Sequence, residues 1–122
     1  MAKLLIVADE ESLCRLLKDT FVKVGHEVDV ANCGQDAKGK IDSQPFDLVI
    51  TDLRLPDVTG LELLEHARAQ KSRTRFILLT SVPTLTTAIE AVNLGAYRYV
   101  IKTDSLADDL CSIVEVALKE RE

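Results

Sequence analysis

The sequence predicts an α/β domain in which a parallel sheet is covered by helices on both faces. Three observations predict it. Short apolar runs such as Leu4-Leu5-Ile6-Val7 and Phe76-Ile77-Leu78-Leu79 have the length and continuity of strands buried on both sides. Longer stretches between them carry apolar residues at helical spacing. The two patterns alternate along the chain, and no linker, low-complexity segment or internal repeat divides them.

Each element has its own signal. After the first strand, Leu13, Leu16, Leu17, Phe21 and Val24 recur with helical period, and Gly25 follows as a C-cap. From His26 to Ala31, Val28 and Val30 alternate with polar residues, as in a strand nearer a sheet edge. Gly34 to Gln44 reads as a weak helix with Ala37 and Ile41 on its apolar side, weakened by Gly39 and ended by Pro45. Asp47-Leu48-Val49-Ile50-Thr51 is a second buried-strand run, followed by a loop with Pro56 and Gly60. Leu61, Leu63, Leu64 and Ala67 open a third helix, and Phe76 to Leu79 forms the fourth strand. Ala88, Ile89, Val92 and Leu94 mark a fourth helix that Gly95 ends, and Tyr97 to Ile101 is the fifth strand. Ser105 is placed to cap a last helix whose Leu106, Leu110, Ile113, Val114, Ala117 and Leu118 face inward.

Composition limits the function. A chain of 122 residues can bury a core without disulfide or metal staples. No apolar run approaches the roughly 18–20 residues of a membrane helix. Acidic residues number 20 against 15 basic ones, a net charge of −5, whereas a protein that neutralises nucleic-acid phosphates usually leans the other way. Met1-Ala2-Lys3 leads straight into an apolar run without the layout of a signal peptide, so a cytoplasmic location is expected. The three cysteines, Cys14, Cys33 and Cys111, form no CxxC pair and read as reduced, small apolar residues.

In a doubly wound sheet, ligands bind at the carboxyl ends of the strands. Asp9, Asp52, Thr80 and Lys102 close the first, third, fourth and fifth strands. Each alone has a plainer reading: a turn aspartate, a β-prone threonine, a lysine lying along apolar surface. Together they are informative. Two carboxylates can hold a hard divalent cation such as Mg2+. A lysine and a hydroxyl can meet phosphoryl oxygens, and an aspartate beside a metal can attack phosphorus. Phosphoryl transfer onto Asp52 is the chemistry this set allows.

These residues lie in stretches that resemble the response-regulator receiver domain of two-component signalling over essentially the whole chain, residues 1–122. The resemblance is carried by Leu4-Leu5-Ile6-Val7-Ala8-Asp9-Glu10-Glu11, by Asp47-Leu48-Val49-Ile50-Thr51-Asp52-Leu53-Arg54-Leu55-Pro56 with Gly60, by Leu78-Leu79-Thr80-Ser81, and by Gly95-Ala96-Tyr97-Arg98-Tyr99-Val100-Ile101-Lys102. It implies a flavodoxin-like fold with strand order 2-1-3-4-5 and five helices. It implies that Asp52 is the phosphoacceptor for a sensor histidine kinase or phosphotransfer protein. Asp9, Asp52 and the backbone carbonyl of Arg54 would bind Mg2+, and Lys102 would pair with the phosphoryl group. Thr80 and Tyr99 would be the switch hydroxyl and the switch aromatic, and Ser81 a small residue leaving room for the phosphoryl group. By the same resemblance the output surface is the fourth helix, fifth strand and fifth helix, with Glu90, Arg98, Asp108, Asp109 and Lys119 as charged contacts and a homodimer through that face. Arg54 and Val82 occupy positions that tune loss of the phosphoryl group. Nucleic acid would be reached only through an effector domain not present in this chain.

Two residues depart from the pattern. Ala8 stands where the family has a second acid, which implies weaker Mg2+ binding and slower phosphorylation. Thr103 stands where the family has proline, so a cis bond is not expected there. Ala8 also motivates an alternative: a degenerate receiver acting as a phosphorylation-independent interaction module. Enzymatic activity beyond self-phosphorylation and self-dephosphorylation is not expected. An aspartate-nucleophile phosphatase would need an acid two residues after Asp52, where Arg54 stands. A dinucleotide-binding domain would need GxGxxG after the first strand.

Overall fold

A computed structural model describes residues 2–120. Met1, Arg121 and Glu122, part of the expected domain, lie outside the described residues. The chain alternates strand and helix: β1 (Lys3–Val7), α1 (Glu11–Lys23), β2 (Glu27–Ala31), α2 (Gly34–Ser43), β3 (Leu48–Asp52), α3 (Gly60–Ala69), β4 (Arg75–Thr80), α4 (Leu85–Asn93), β5 (Arg98–Ile101) and α5 (Leu106–Glu120). The strands pair in parallel in the order β2-β1-β3-β4-β5, as expected.

Parallel pairing explains the apolar runs. Successive strand side chains point to opposite faces, and here both faces are covered. Leu4, Ile6, Leu48, Ile50, Ile77 and Leu79 meet Leu17 and Phe21 of α1 and Leu110 and Val114 of α5. Leu5, Val7, Val49, Phe76 and Leu78 meet Ala37 of α2, Leu63 and Leu64 of α3 and Ala91 of α4. Each fully buried leucine contributes about 2 kcal/mol of burial free energy. β2 is an edge strand, and its Val28 and Val30 are only half-buried, matching their alternation with polar residues.

The helices follow the spacing of their apolar residues in the main, but along α1 Leu17 and Phe21 are buried while Leu16 and Val24 of the same stripe face solvent, and α4 and α5 differ too. In α4, only Ala91 is buried, while Ile89 and Val92 point to solvent. The helix touches the core through that one small side chain. At the start of α5, the Ser105 hydroxyl donates to the Asp109 carboxylate (3.1 Å). Thr103 tightens that turn: its hydroxyl accepts from the Ser105 N–H, and its carbonyl accepts from the Leu106 N–H. Among the described residues there is no cis peptide bond.

Register brings the strand ends level. Val7 pairs with Ala31 and Thr51, Asp52 with Leu79, and Thr80 with Ile101. The residues just past β1, β3, β4 and β5 therefore share one edge of the sheet.

Candidate functional site

Asp52 is the last residue of the fully buried strand β3 and is itself only 4% exposed. Lys102 follows β5, and its N–H donates to the Thr80 carbonyl (2.8 Å), which fixes where its side chain starts. Its Nζ reaches Asp52 Oδ1 at 2.7 Å. The approach is off the line that a good hydrogen bond needs, so the buried Oδ1 has an ion-pair partner but no aligned donor. Burial raises the Asp52 carboxyl pKa, Lys102 pulls it down, and the negative charges of Asp9 and Glu10 push it up again. The net shift is upward. A carboxylate in this setting gains from any additional positive charge.

Asp52, Arg54, Thr80, Ser81, Val82 and Lys102 line a small cavity of about 50 Å3, space for one or two waters. Asp9 stands exposed at the end of β1, outside that lining but near enough to act on Asp52. Thr80 Oγ1 accepts from the Val82 N–H (3.1 Å), which ties this hydroxyl to the loop before α4. Tyr99 lies farther out, half-buried on β5. Its hydroxyl shares a 2.7 Å hydrogen bond with Thr87 Oγ1 and accepts a longer one from the Thr84 N–H (3.4 Å). Structure thus gathers Asp52, Lys102, Thr80 and Arg54 around one cavity, sets Asp9 beside it, and ties Tyr99 to the first turn of α4.

The donor set fits a hard cation with most of its waters retained. Asp9 and Asp52 could supply carboxylates and Arg54, which lines the cavity, a backbone carbonyl, and Asp52 Oδ1 is a buried acceptor without an aligned donor. Among the described residues no group of three acidic, histidine or cysteine side chains is placed to hold a metal. Ala8 is one reason: its side chain is buried in the core beside Cys14 and Leu17. Its carbonyl accepts from the Cys14 thiol (3.3 Å) and from Asn32 Nδ2 (3.2 Å). Burial, with Asp52, Asp9 and Glu10 nearby, raises the Cys14 thiol pKa, which keeps it an inert donor.

Sequence reading missed Thr84 and Thr87, which hold the Tyr99 hydroxyl, and Cys14 and Asn32, which hold the Ala8 carbonyl. Helical spacing places Thr87 one turn into α4, but nothing in the sequence says that this turn lies over β5.

Strand order and an acid-bearing carboxyl edge define the class, a flavodoxin-like α/β domain of the chemotaxis-regulator type. The chain belongs to the response regulator receiver domain family, whose family model matches residues 4–115. It is 38% identical over 117 residues to the regulatory protein AtoC of Escherichia coli, covering 96% of this chain and 25% of that protein. The curated relatives it matches are longer, and the chain spans about a quarter to about half of their length. Its fold superposes on the receiver domain of the Francisella response regulator 1452 with a TM-score of 0.92 at 26% identity, over 100% of both chains. It also superposes on the Thermotoga maritima response regulator TrrA, solved in complex with Mg2+-BeF, with a TM-score of 0.85 at 32% identity, over 96% of this chain and 99% of that one. Receiver domains are signalling domains of two-component response regulators. No helix among the described residues is long and apolar enough to cross a membrane.

Proposed function

We propose that this domain is switched by phosphorylation of Asp52. A sensor histidine kinase or phosphotransfer protein supplies the phosphoryl group. An Asp52 carboxylate oxygen forms a bond to phosphorus, the phosphorus–nitrogen bond of the donor breaks, and the departing histidine nitrogen keeps the electron pair. Lys102 then exchanges its pairing with the carboxylate for a phosphoryl oxygen. Thr80 gives up the Val82 N–H and donates its hydroxyl to another. Asp9, Asp52 and the Arg54 carbonyl hold Mg2+, which neutralises charge on the transferring group. The observation that carries this reading is Asp52 itself, buried at a strand end, 2.7 Å from Lys102 and short of a donor.

Tyr99 and α4 read the change. As Thr80 moves, the Tyr99 ring turns inward and its hydroxyl leaves Thr87, freeing the first turn of α4. The output face of α4, β5 and α5 then meets its partner, including a second copy of this domain. Leu85, Ile89 and Val92 on α4 and Ile101 on β5 give that face exposed apolar area. Arg54 and Val82 border the cavity, where they limit the approach of hydrolytic water. Ala8 weakens Mg2+ binding and slows the reaction. DNA or any other output is reached through a part of the protein other than this domain.

Intact mass after incubation with Mg2+ and acetyl phosphate tests the reading, with Asp52→Asn as control. One added phosphoryl mass, absent in the control, is expected, and Ala8→Asp should speed its appearance. No added mass in the wild type together with its appearance in Ala8→Asp would favour the phosphorylation-independent module instead.

A further inference from the structure

The start of α2 is unusual for a helix of this length. Its N-cap is Cys33, whose thiol accepts from the Asp36 N–H at 3.5 Å, a weak cap beside a hydroxyl or carboxylate. The N–H groups of Gly34 and Gln35, the first two helical residues, would be left without partners by local sequence. They are met from 23 and 22 residues away: Asp57 Oδ1 accepts from Gly34 N at 2.7 Å, and Asp57 Oδ2 from Gln35 N at 2.9 Å. Asp57 Oδ1 also accepts from the Val58 N–H at 3.0 Å. The carboxylate faces the positive end of the helix dipole. The approach is fitted to glycine at position 34, since a Cβ there would push into the Val58 Cγ2 methyl and make it shift.

Asp57 sits in the loop joining the phosphoacceptor strand to α3. That loop is closed at its base. Gly60 N–H donates to the Leu53 carbonyl (2.8 Å), and Arg54 and Thr59 pair as an antiparallel bridge. Gly60 lies so close to the Asp52 carbonyl that a Cβ there would collide with it. Asp57 adds a third hold, at the tip, to a different helix. The Arg54 peptide belongs to the base, paired with Thr59, and the Asp57 hold lies three residues further along the same loop.

We propose that Asp57 is a positioning residue for the cation site: by clamping the loop to the N-terminus of α2, it fixes the direction of the Arg54 backbone carbonyl. This rests on the reading above that the Arg54 carbonyl, with Asp9 and Asp52, holds Mg2+. A backbone donor cannot be steered by its own side chain, so the hydrogen bonds around it set its aim, as outer partners do for metal-binding side chains. Ala8 sharpens the need. With one pocket acid missing, the carbonyl is a larger share of what holds the ion, and α2 becomes part of the site although none of its residues touches it.

The test uses the full chain without phosphodonor. Mg2+ affinity is measured by titration calorimetry and amide exchange by mass spectrometry, for wild type, Asp57→Ala, Asp57→Asn and Thr74→Ala. Asp57→Ala is expected to weaken Mg2+ about tenfold, the lower end for loss of an outer partner. It should also speed exchange both at residues 34–36 and at residues 53–58. Asp57→Asn keeps one acceptor oxygen, loses the bond to Gln35, and should fall between. Thr74→Ala removes a hydrogen bond to the Phe46 carbonyl at the opposite end of the sheet but not the clamp, and should bind Mg2+ as wild type does even if it melts earlier. Asp57 variants that melt earlier yet bind Mg2+ with unchanged affinity would overturn the positioning role while leaving the metal reading intact. A wild type that binds no Mg2+ would overturn the metal reading and this inference with it.

Discussion

Helices α3 and α4 are nearly equal in length, follow each other in the chain and pack on the same face of the sheet, yet they are held very differently. α3 buries Gly60, Leu61, Leu63, Leu64 and Ala67. Its N-terminus is closed by a capping box between Thr59 and Glu62. α4 buries Ala91 alone and leaves Leu85 78% and Val92 75% exposed. Its first turn is capped by Thr84, whose Oγ1 accepts from the Thr87 N–H (3.1 Å), and is tied to β5 by the Thr84 and Thr87 contacts with Tyr99. One helix is fixed by packing, the other by a few hydrogen bonds near 1 kcal/mol each. On the function proposed above, the difference separates two tasks: the segment next to Asp52 holds its geometry, and the segment that would report is cheap to move.

Substitutions in the two helices should therefore separate cleanly. The largest contrast is between leucines. Leu64→Ala in α3 should cost about 2–5 kcal/mol of unfolding free energy in urea titrations. Leu85→Ala in α4 should change it by no more than about 0.5 kcal/mol. Equal losses would break the comparison.

A second test concerns Asp52, where the fixed half stores an electrostatic cost. Its folded carboxyl pKa is raised above the unfolded value, chiefly by burial. Its contribution to stability is thus full below the ordinary carboxylate value of about 4 and is lost as pH rises through the raised value. Asp52→Asn cannot ionise. Its stability relative to wild type should increase with pH across that window and level off above it. A difference that is flat with pH would show that Lys102 already cancels the cost.

The smallest effect sharpens the other side. Thr87→Val removes the hydroxyl that Tyr99 holds and should cost about 1 kcal/mol or less globally. Amides of the first turn of α4 should exchange faster while those of α3 stay unchanged. Faster exchange in both helices would mean that they move together.

Much of this was legible in the sequence. Leu4 to Val7, Leu48 to Thr51 and Phe76 to Leu79 read as strands because parallel pairing demands apolar residues on both faces. Asp52, Thr80 and Lys102 read as a site because a doubly wound sheet gathers its strand ends on one edge. What was hidden depends on docking rather than on period. Ile89 and Val92 have helical spacing but face solvent, since α4 rests on the small Ala91. Thr87 meets Tyr99 only because α4 lies over β5. Asp57 reads as an ordinary loop aspartate, and the single hint was a helix start at Gly34 with only a cysteine before it. Ser105 reads as a cap, yet its hydroxyl turns to Asp109.

On the proposed function, a change at Asp52 is felt in α4 and not in α3. Amide exchange with and without Mg2+ and beryllofluoride, an aspartate-bound stand-in for the phosphoryl group, tests it most directly. Altered exchange over residues 84–101 with residues 61–69 unchanged is the predicted result. Binding of beryllofluoride with no change in α4, or with an equal change in α3, would contradict it.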